Sequence, residues 1–356
     1  MDLSFIIPTR DRPHHLRSTL DMLGRLDAAC IGRAELIVLD NASREPIELP
    51  ESLPNGIEVR GLRLGQNLNT AARNVGAEQA RSDWLVMLDD DSSPLGCPLL
   101  ETLGEIGPDV AAVGGEIFLG DGRRESGGLP EVIVGCGCVV RRDMFLEAGG
   151  YDEVFGYYAE EYDLCAKLIA MGKRVVHTRS IRFEHRKSSV GRDMNEILYR
   201  LVRNNGWVLR RYAPADRRDT LIGEMIARYR TIAGREDATR GFERGMAELG
   251  RTIETQPESA LSEAQWDRFE GRAAVRETIR RCSPELGNAV RLLGPAHAKG
   301  RDIIADELRA HGCMICDRPD ATPVVGTLSP GPMLDLRESH PDAIMAWGLD
   351  DTAPRV

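Results

Sequence analysis

The chain has 356 residues, of which 42% are hydrophobic and 29% charged, and its formal net charge is -10. This composition is typical of a globular protein with one large domain plus appendages, and the negative charge argues against broad binding to nucleic acid or an anionic membrane. No apolar run approaches the ~20 residues that are needed to span a bilayer.

The cysteine pattern predicts a cellular compartment. Eight cysteines are scattered along the chain, and the first residues lead directly into a strand without a secretory leader. We therefore expect a reduced, cytoplasmic protein rather than a disulfide scaffold, with peripheral contact to the inner face of the membrane as an alternative.

The first ninety residues predict an α/β fold. Short apolar runs alternate with segments of helical periodicity, which is typical of β-α-β units with parallel strands and a right-handed crossover. The predicted strands are residues 3–7, 34–39, 57–62 and 84–88, and the predicted helices are one that carries Leu16, Leu20, Leu23 and Leu26 and one over 67–81.

Three of these strands end in polar residues: Thr9 and Arg10, Asp40 and Asn41, and Asp89-Asp90-Asp91. The carboxyl ends of parallel strands meet at the edge where α/β folds bind ligands. Three adjacent acids repel one another unless a cation is present, and such oxygen-rich sites suit Mg²⁺ or Mn²⁺ shared with phosphates. The pattern predicts a nucleoside diphosphate site, with a plain acidic turn as the alternative. The P-loop and G-x-G-x-x-G motifs are absent.

The next hundred residues predict more strands and two helices. The predicted strands are 111–118, 132–140, 174–177 and 181–185, with a hairpin at 120–128 and helices over 141–148 and from about 160 to Gly172. Gly135 and Gly137 interrupt one strand, which suggests close backbone approach to a ligand. Glu160 and Glu161 open the second helix, where helix capping is the alternative to a chemical role.

The remainder predicts two further units. Helices over 195–212, 220–232 and 258–281 indicate a helical extension, and strands at 290–293, 313–317 and 343–347 with helices at 301–310 and 332–339 indicate a small Rossmann-like α/β module. The predicted domains are therefore 1–190, 191–286 and 287–356. The last module has no assignable function, and docking or homo-oligomer formation are its candidate roles.

Several motifs together resemble a known family. In chain order they are similar to those of inverting nucleotide-sugar glycosyltransferases of family two, whose fold is called GT-A. The matching segments are residues 6–10, 38–43, 67–76, 88–91, 149–153 and 160–164, followed by His185. The resemblance covers a little over half the chain and implies a GT-A domain followed by the two appendages.

The resemblance also implies residue roles. Pro8, Thr9, Arg10 and Asp40 would contact the nucleoside, and Arg73 lies in the family's donor-binding helix. Asp89 and Asp90 would lie on the donor, with Asp89 towards the ribose.

The same resemblance assigns the metal and the base. Asp91 and His185 would bind the metal, although a histidine that merely ends a strand is the alternative for His185. Glu160 and Glu161 occupy the place of the family's Glu-Asp pair, and Glu161 stands where the catalytic base sits. Glutamate replaces aspartate at 161, so the choice between the two stays open.

The predicted function is metal-dependent transfer of a sugar from a nucleoside-diphosphate donor to a hydroxyl acceptor, with inversion. A divalent ion (Mn²⁺ or Mg²⁺) would neutralise the leaving diphosphate, and a carboxylate would take the acceptor's proton. The acceptor, a glycan, lipid-linked sugar or small molecule, would enter near 135–138 and the pair Tyr157-Tyr158. A nucleotidyltransferase and a non-catalytic sugar-nucleotide or glycan-binding protein are the alternatives.

Overall fold

A computed structural model describes residues 1–96, 98–187 and 193–349. Its largest feature is an eight-stranded sheet in the order β3-β2-β1-β4-β7-β6-β8-β5. Its strands are β1 (Leu3–Thr9), β2 (Ala34–Asp40), β3 (Glu58–Arg63), β4 (Trp84–Leu88), β5 (Ser92–Pro94), β6 (Val110–Leu119), β7 (Gly137–Arg141) and β8 (Arg174–His185). The helices between them are α1 (Pro13–Leu23), α2 (Ala28–Ile31), α3 (Ala72–Gln79), α4 (Leu99–Gly104), α5 (Arg142–Glu147) and α6 (Glu160–Ala170).

The sheet changes direction beyond β4. The first four strands are parallel, as the sequence predicts, whereas β7 runs antiparallel to both β4 and β6. In β1, β2 and β4 nearly all residues are buried, which explains why they are continuous apolar runs. The parallel register pairs Thr9 with Asp40, so β1 and β2 end side by side. The predicted α/β fold is confirmed.

The helical extension contains five helices in its described part. They are α7 (Met194–Tyr212), α8 (Arg218–Arg235), α9 (Thr239–Thr252), α10 (Glu263–Phe269) and α11 (Arg272–Arg281). The predicted single helix over 258–281 is wrong, because Gly271 adopts φ +90° and separates α10 from α11. Helix α9 was not predicted from the sequence. Within the described residues, no helix combines the length and the apolar character that crossing a bilayer requires.

The C-terminal module has a three-stranded parallel sheet, ordered β10-β9-β11. Its elements are β9 (Ala289–Leu293), α12 (Arg301–Ala310), β10 (Met314–Ile315), β11 (Thr322–Val325) and α13 (Pro330–Ser339). The expected strand at 343–347 is absent; that segment makes a single bridge, from Ile344 to Val324. Trp347 instead packs edge-on against His177 of β8.

An ion cluster joins the C-terminal module to the main sheet. Arg124, only 8% exposed, pairs with Glu116 of β6 at 2.6 Å. Arg124 also contacts two acids of α13, Asp335 at 2.6 Å and Glu338. A buried guanidinium needs such partners, since an unpaired buried charge is strongly unfavourable. The cluster therefore fixes the module beside the loop that begins at Glu125. The domain boundaries at 190/191 and 286/287 stay predictions.

Two further sequence predictions were wrong locally. The helix expected over 67–81 is a short 3-10 turn followed by α3, because Asn41 bonds the backbone at both Leu68 and Asn69 and Asn69 adopts φ +53°. The strand expected from 132 begins only at Gly137, since Val132 closes a turn with Leu129.

Candidate active site

A cleft of about 760 Å³ opens at the carboxyl ends of the parallel strands. It is lined by residues of all three parts of the chain. The predicted site residues that line it are Arg73, Asp89, Asp91, Glu160, Glu161 and His185. Two acids of the triplet and the glutamate pair, 69 or more residues apart in sequence, thus line one cavity.

Two acids of the triplet pair with Arg12, which was not among the residues predicted from the sequence. Arg12 donates to Asp90 Oδ1 at 2.5 Å and to Asp91 Oδ2 at 2.6 Å. Thr9 donates its hydroxyl to Asp90 at 2.7 Å. Burial raises the pKa of Asp90 to about 6, even though Arg12 and Thr9 favour its charged form. Arg12 stands three residues after β1, and that position was the only sequence signal for it.

Arg73 holds the third acid of the triplet. Its side chain is 3% exposed and donates to the Leu88 carbonyl at 2.9 Å and to Asp89 at 2.5 Å. Asp89 is 40% exposed and faces the cleft. Helix α3 thus brings a buried cation to the end of β4, and the role of Arg73 in donor binding stays a prediction.

His185 lies between two carboxylates at the end of β8. Its Nε2 is 3.4 Å from Asp91 Oδ1, and its Nδ1 is 3.0 Å from Glu125 Oε2. Burial alone would lower the pKa of His185, but the contacts with Asp91, Cys136 and Glu125 raise it to about 12. Glu125 also pairs with Lys187 at 3.0 Å. Glu125 was missed in the sequence because it lies in a glycine-rich loop without a motif.

The donor atoms around His185 fit a divalent ion. One ligand atom each from Asp89, Cys136 and His185 lies within 4.8 Å of the others, and Asp91 is adjacent. Carboxylate, imidazole and thiolate are all ligands of borderline divalent ions. An ion held by His185 would replace the proton that the imidazole carries between its two carboxylates.

The glutamate pair in the same cleft is desolvated. Glu160 is 5% exposed, and its Oε2 accepts no hydrogen bond from the described residues. Glu161 Oε1 accepts the Gly135 backbone N–H at 3.1 Å. Burial raises the pKa of both side chains, and for Glu160 the adjacent Glu161 charge adds to the effect. Two such acids resist ionising together, so the pair holds a proton more readily than an exposed glutamate does.

Gly135 explains part of this geometry. A Cβ at this position would lie 2.9 Å from Glu161 Oε1. At Gly137 it would clash with Ile117 and Phe183. The close approach expected from these glycines is thus to protein side chains rather than to a ligand, and Gly135 makes room for the Glu161 carboxylate.

A buried asparagine holds the loop before α6. Tyr158 and Ala159 both have positive φ, +72° and +67°, immediately before Glu160. Such a conformation costs free energy for residues with a side chain and persists only when neighbours enforce it. Asn204, which is fully buried, donates to the Phe155, Tyr157 and Tyr158 carbonyls at 3.0, 2.9 and 2.6 Å. Helix α7 thereby sets the position of the glutamate pair.

The remaining predicted residues lie beside the cleft rather than in its described lining. Asp90 is buried behind Arg12, and Thr9 bonds to it. Asp40 accepts the Ser43 N–H at 2.9 Å and so shapes the turn after β2. Pro8 is in β1, and Arg10 lies just beyond it, 3.9 Å from Asp11. Their assignment to the nucleoside stays a prediction.

The expected acceptor side is met in part. Gly135, Cys136, Tyr157 and Tyr158 line the cleft, and both tyrosines are exposed, by 44% and 38%. Cys138 instead packs in the core, opposite Met87 of β4.

Comparison with known proteins defines the class of this site. Residues 4–145 match the family described as Glycosyl transferase family 2. This segment is therefore similar to a glycosyltransferase family 2 domain, and the structure has the GT-A fold.

Two curated relatives match more of the chain than that segment. An O-antigen biosynthesis protein of Myxococcus xanthus is 28% identical over 52% of this chain and 17% of its own length. A pre-mycofactocin glycosyltransferase of Mycobacterium tuberculosis is 27% identical over 49% of this chain and 40% of its own length. The chain thus spans less than half the length of these curated relatives.

A solved structure resembles nearly the whole chain in fold. The crystal structure of S. aureus TarS 1-349 in complex with UDP-GlcNAc matches with a TM-score of 0.50 and 16% identity, over 88% of this chain and 90% of that one. At this identity the likeness is one of fold alone.

Proposed function

We propose that the protein transfers a sugar from a nucleoside-diphosphate donor to a hydroxyl acceptor, with a divalent ion and with inversion at the anomeric carbon. One observation carries the proposal: Asp89, Asp91 and His185 line the same cleft as the desolvated pair Glu160–Glu161. A sugar donor needs its diphosphate neutralised on one side and the acceptor's proton removed on the other.

The donor would lie along the ends of β1, β2 and β4. We assign the nucleoside to Pro8, Thr9, Arg10 and Asp40, and the ribose to Asp89, whose exposed carboxylate can accept hydroxyl protons. Arg73 orients Asp89 through its 2.5 Å contact, and Asp90 holds Arg12 and Thr9 in place. Arg12 then presents a cation beside the leaving diphosphate.

We assign the metal to Asp91 and His185, with Asp89 and Cys136 near enough to contribute. A bound Mn²⁺ or Mg²⁺ would supply Lewis-acid neutralisation of the diphosphate. Glu125 orients the imidazole ring by holding His185 through Nδ1, which leaves Nε2 directed at Asp91.

We assign the base to Glu161. Its carboxylate is oriented by the Gly135 N–H and desolvated beside Glu160, which raises its pKa towards the range where a carboxylate takes a proton efficiently. A single in-line displacement with one base gives inversion. Glu160, at the same helix start, shares the charge of the pair and is the alternative base.

The test measures donor binding apart from turnover. Thermal-shift titration with UDP-, GDP- and dTDP-sugars, with and without Mn²⁺, should show one donor that stabilises the protein in a metal-dependent manner. Asp91→Asn should abolish the metal-dependent part of that stabilisation, whereas Asp121→Asn, at a surface pair with Arg123, should not.

Turnover is then followed as release of the nucleoside diphosphate. Release on addition of the bound donor and an acceptor supports a transferase. Metal-dependent binding without any release, even by hydrolysis of the donor, would favour a binding protein on the same scaffold. The cytoplasmic location and a homo-oligomer through the C-terminal module stay predictions.

A further inference from the structure

Two cations at the acceptor side of the cleft have no acidic partner in the described chain. Arg12, Arg73 and Lys187 all pair with carboxylates. Arg228 of α8 and Lys299, just before α12, also line the cleft, yet neither has a carboxylate within ion-pair distance among residues 1–96, 98–187 and 193–349. The two come from the helical extension and the C-terminal module.

Lys299 is held by neutral groups at a defined place. Its Nζ donates to the Tyr162 hydroxyl at 2.9 Å and lies 3.4 Å from the Gly128 carbonyl. The side chain is half-buried. Since this ammonium ion is bonded only to neutral acceptors among the described residues, its positive charge is available to an anion in the cleft.

Tyr162 connects Lys299 to α6. It follows Glu161 directly and lines the cleft together with Tyr229, the neighbour of Arg228. The two cations and these two tyrosines therefore line the cleft that also contains the glutamate pair.

We propose that this part of the cleft binds an anionic group of the acceptor, so that the preferred acceptor is a saccharide carrying a phosphate ester or a carboxylate. The exposed rings of Tyr157 and Tyr158 offer stacking surfaces for the sugar, while Arg228 and Lys299 offer charge-assisted hydrogen bonds to the anion. The inference rests on the proposed function, since it names the acceptor class of that site.

Binding can be tested without the donor or turnover. Calorimetric titrations of the full chain in EDTA would use glucose, glucose 6-phosphate and glucuronate as probes. Without a divalent ion the donor half keeps its excess of acids, so anion binding reports on the other half. We expect glucose 6-phosphate or glucuronate to bind about tenfold more tightly than glucose, as one charge-assisted contact implies. The tighter of the two anions identifies the anionic group.

Variants test whether Arg228 and Lys299 cause the preference for the anionic sugars. Lys299→Gln and Arg228→Gln should each remove most of the preference for the anion, whereas Lys299→Arg should retain it. Arg235→Gln, at the exposed end of α8 where Arg235 pairs with Glu236, is the control for net charge. Unfolding midpoints near wild type would show that the variants are folded.

The outcomes separate this inference from the proposed function. Equal affinity for glucose and both anions, or an anion preference that persists in both glutamine variants, would overturn the acceptor assignment even if donor binding is confirmed. Failure of every nucleotide sugar to bind would overturn the proposed function, while the EDTA titrations would still decide whether this anion site exists.

Discussion

The two halves of the cleft are built on different electrostatics. The donor half is a network of paired charges: Arg12 with Asp90 and Asp91, Arg73 with Asp89, and His185 between Asp91 and Glu125. The acceptor half contains buried acids with raised pKa values and loops held by neutral hydrogen bonds. Under the proposed function, the paired charges of the first half would receive a charged donor, and the second half would keep a carboxyl group ready for a proton.

The largest expected effect concerns the acceptor half. Glu161→Gln keeps the size and the bond from the Gly135 N–H but cannot take a proton. We expect turnover to fall by about 10²–10⁴-fold, the usual contribution of a general base. Donor binding, followed by thermal shift, should stay unchanged because Glu161 is not among the residues assigned to the donor.

Glu160→Gln is the matched comparison. A larger loss of turnover in this variant than in Glu161→Gln would transfer the base assignment to Glu160. Full turnover in both variants would refute the division of the cleft into donor and base halves.

In the donor half, we expect the loss of an ion pair to lower the free energy of unfolding. Arg73→Met leaves Asp89 without the guanidinium that is 3% exposed beside it. Removing one partner of a buried pair costs about 3–5 kcal/mol, and the 40% exposure of Asp89 moves the expectation to the lower end. Urea unfolding measures the loss. Arg123→Met, whose partner Asp121 is a surface acid, should change the free energy of unfolding by no more than about 1 kcal/mol.

A buried histidine of β8, whose partner Leu129 lines the cleft, predicts acid sensitivity. His177 is 4% exposed and contacts the Leu129 and Val132 carbonyls at 2.9 and 3.2 Å. Burial lowers its pKa from 6.5 to about 4. Between pH 6.5 and pH 4 the imidazole of His177 is protonated in the unfolded chain but neutral in the folded chain. The contribution of neutral His177 to the free energy of unfolding is therefore fully present above pH 6.5 and is lost as the pH falls towards 4.

The pH effect is measured as a difference between two proteins. The loss of unfolding free energy from pH 7 to pH 4 should be smaller in His177→Gln than in the wild type, by at most about 3 kcal/mol. Urea unfolding at both values gives the difference, in which the carboxylates common to both proteins cancel. Parallel pH profiles would show that His177 does not need to be neutral for the fold.

The smallest expected effect is at Asn204. Asn204→Ala removes the amide that bonds three carbonyls before α6 and should cost about 1–3 kcal/mol. Since Tyr158 and Ala159 then lose their support, we also expect lower turnover with unchanged donor binding. Asn55→Ala, whose amide bonds the Leu23 and Leu26 carbonyls outside the cleft lining, is the control. An equal loss of turnover in both variants would argue against a specific role for Asn204.

The sequence alone determined the class of fold and the donor half in outline. Buried parallel strands leave continuous apolar runs, and three acids after Leu88 mark the end of one of them, so both are visible as local patterns. The glutamate pair was found in the same way, at the start of a helix. Local patterns gave a wrong prediction where one hydrogen bond from a remote residue changed the path of the chain. An example is the bond from the Leu68 N–H to Asn41, near the start of the helix predicted over 67–81.

Only the tertiary structure decided which distant side chains meet. Arg12 reaches Asp90 across 78 residues, Glu125 reaches His185 across 60, and Lys299 reaches Tyr162 across 137. Periodicity reports which face of an element is buried, but it carries no information on its partner. The charges that complete the site, and the contribution of the C-terminal module to it, follow from packing between elements that are remote in the chain.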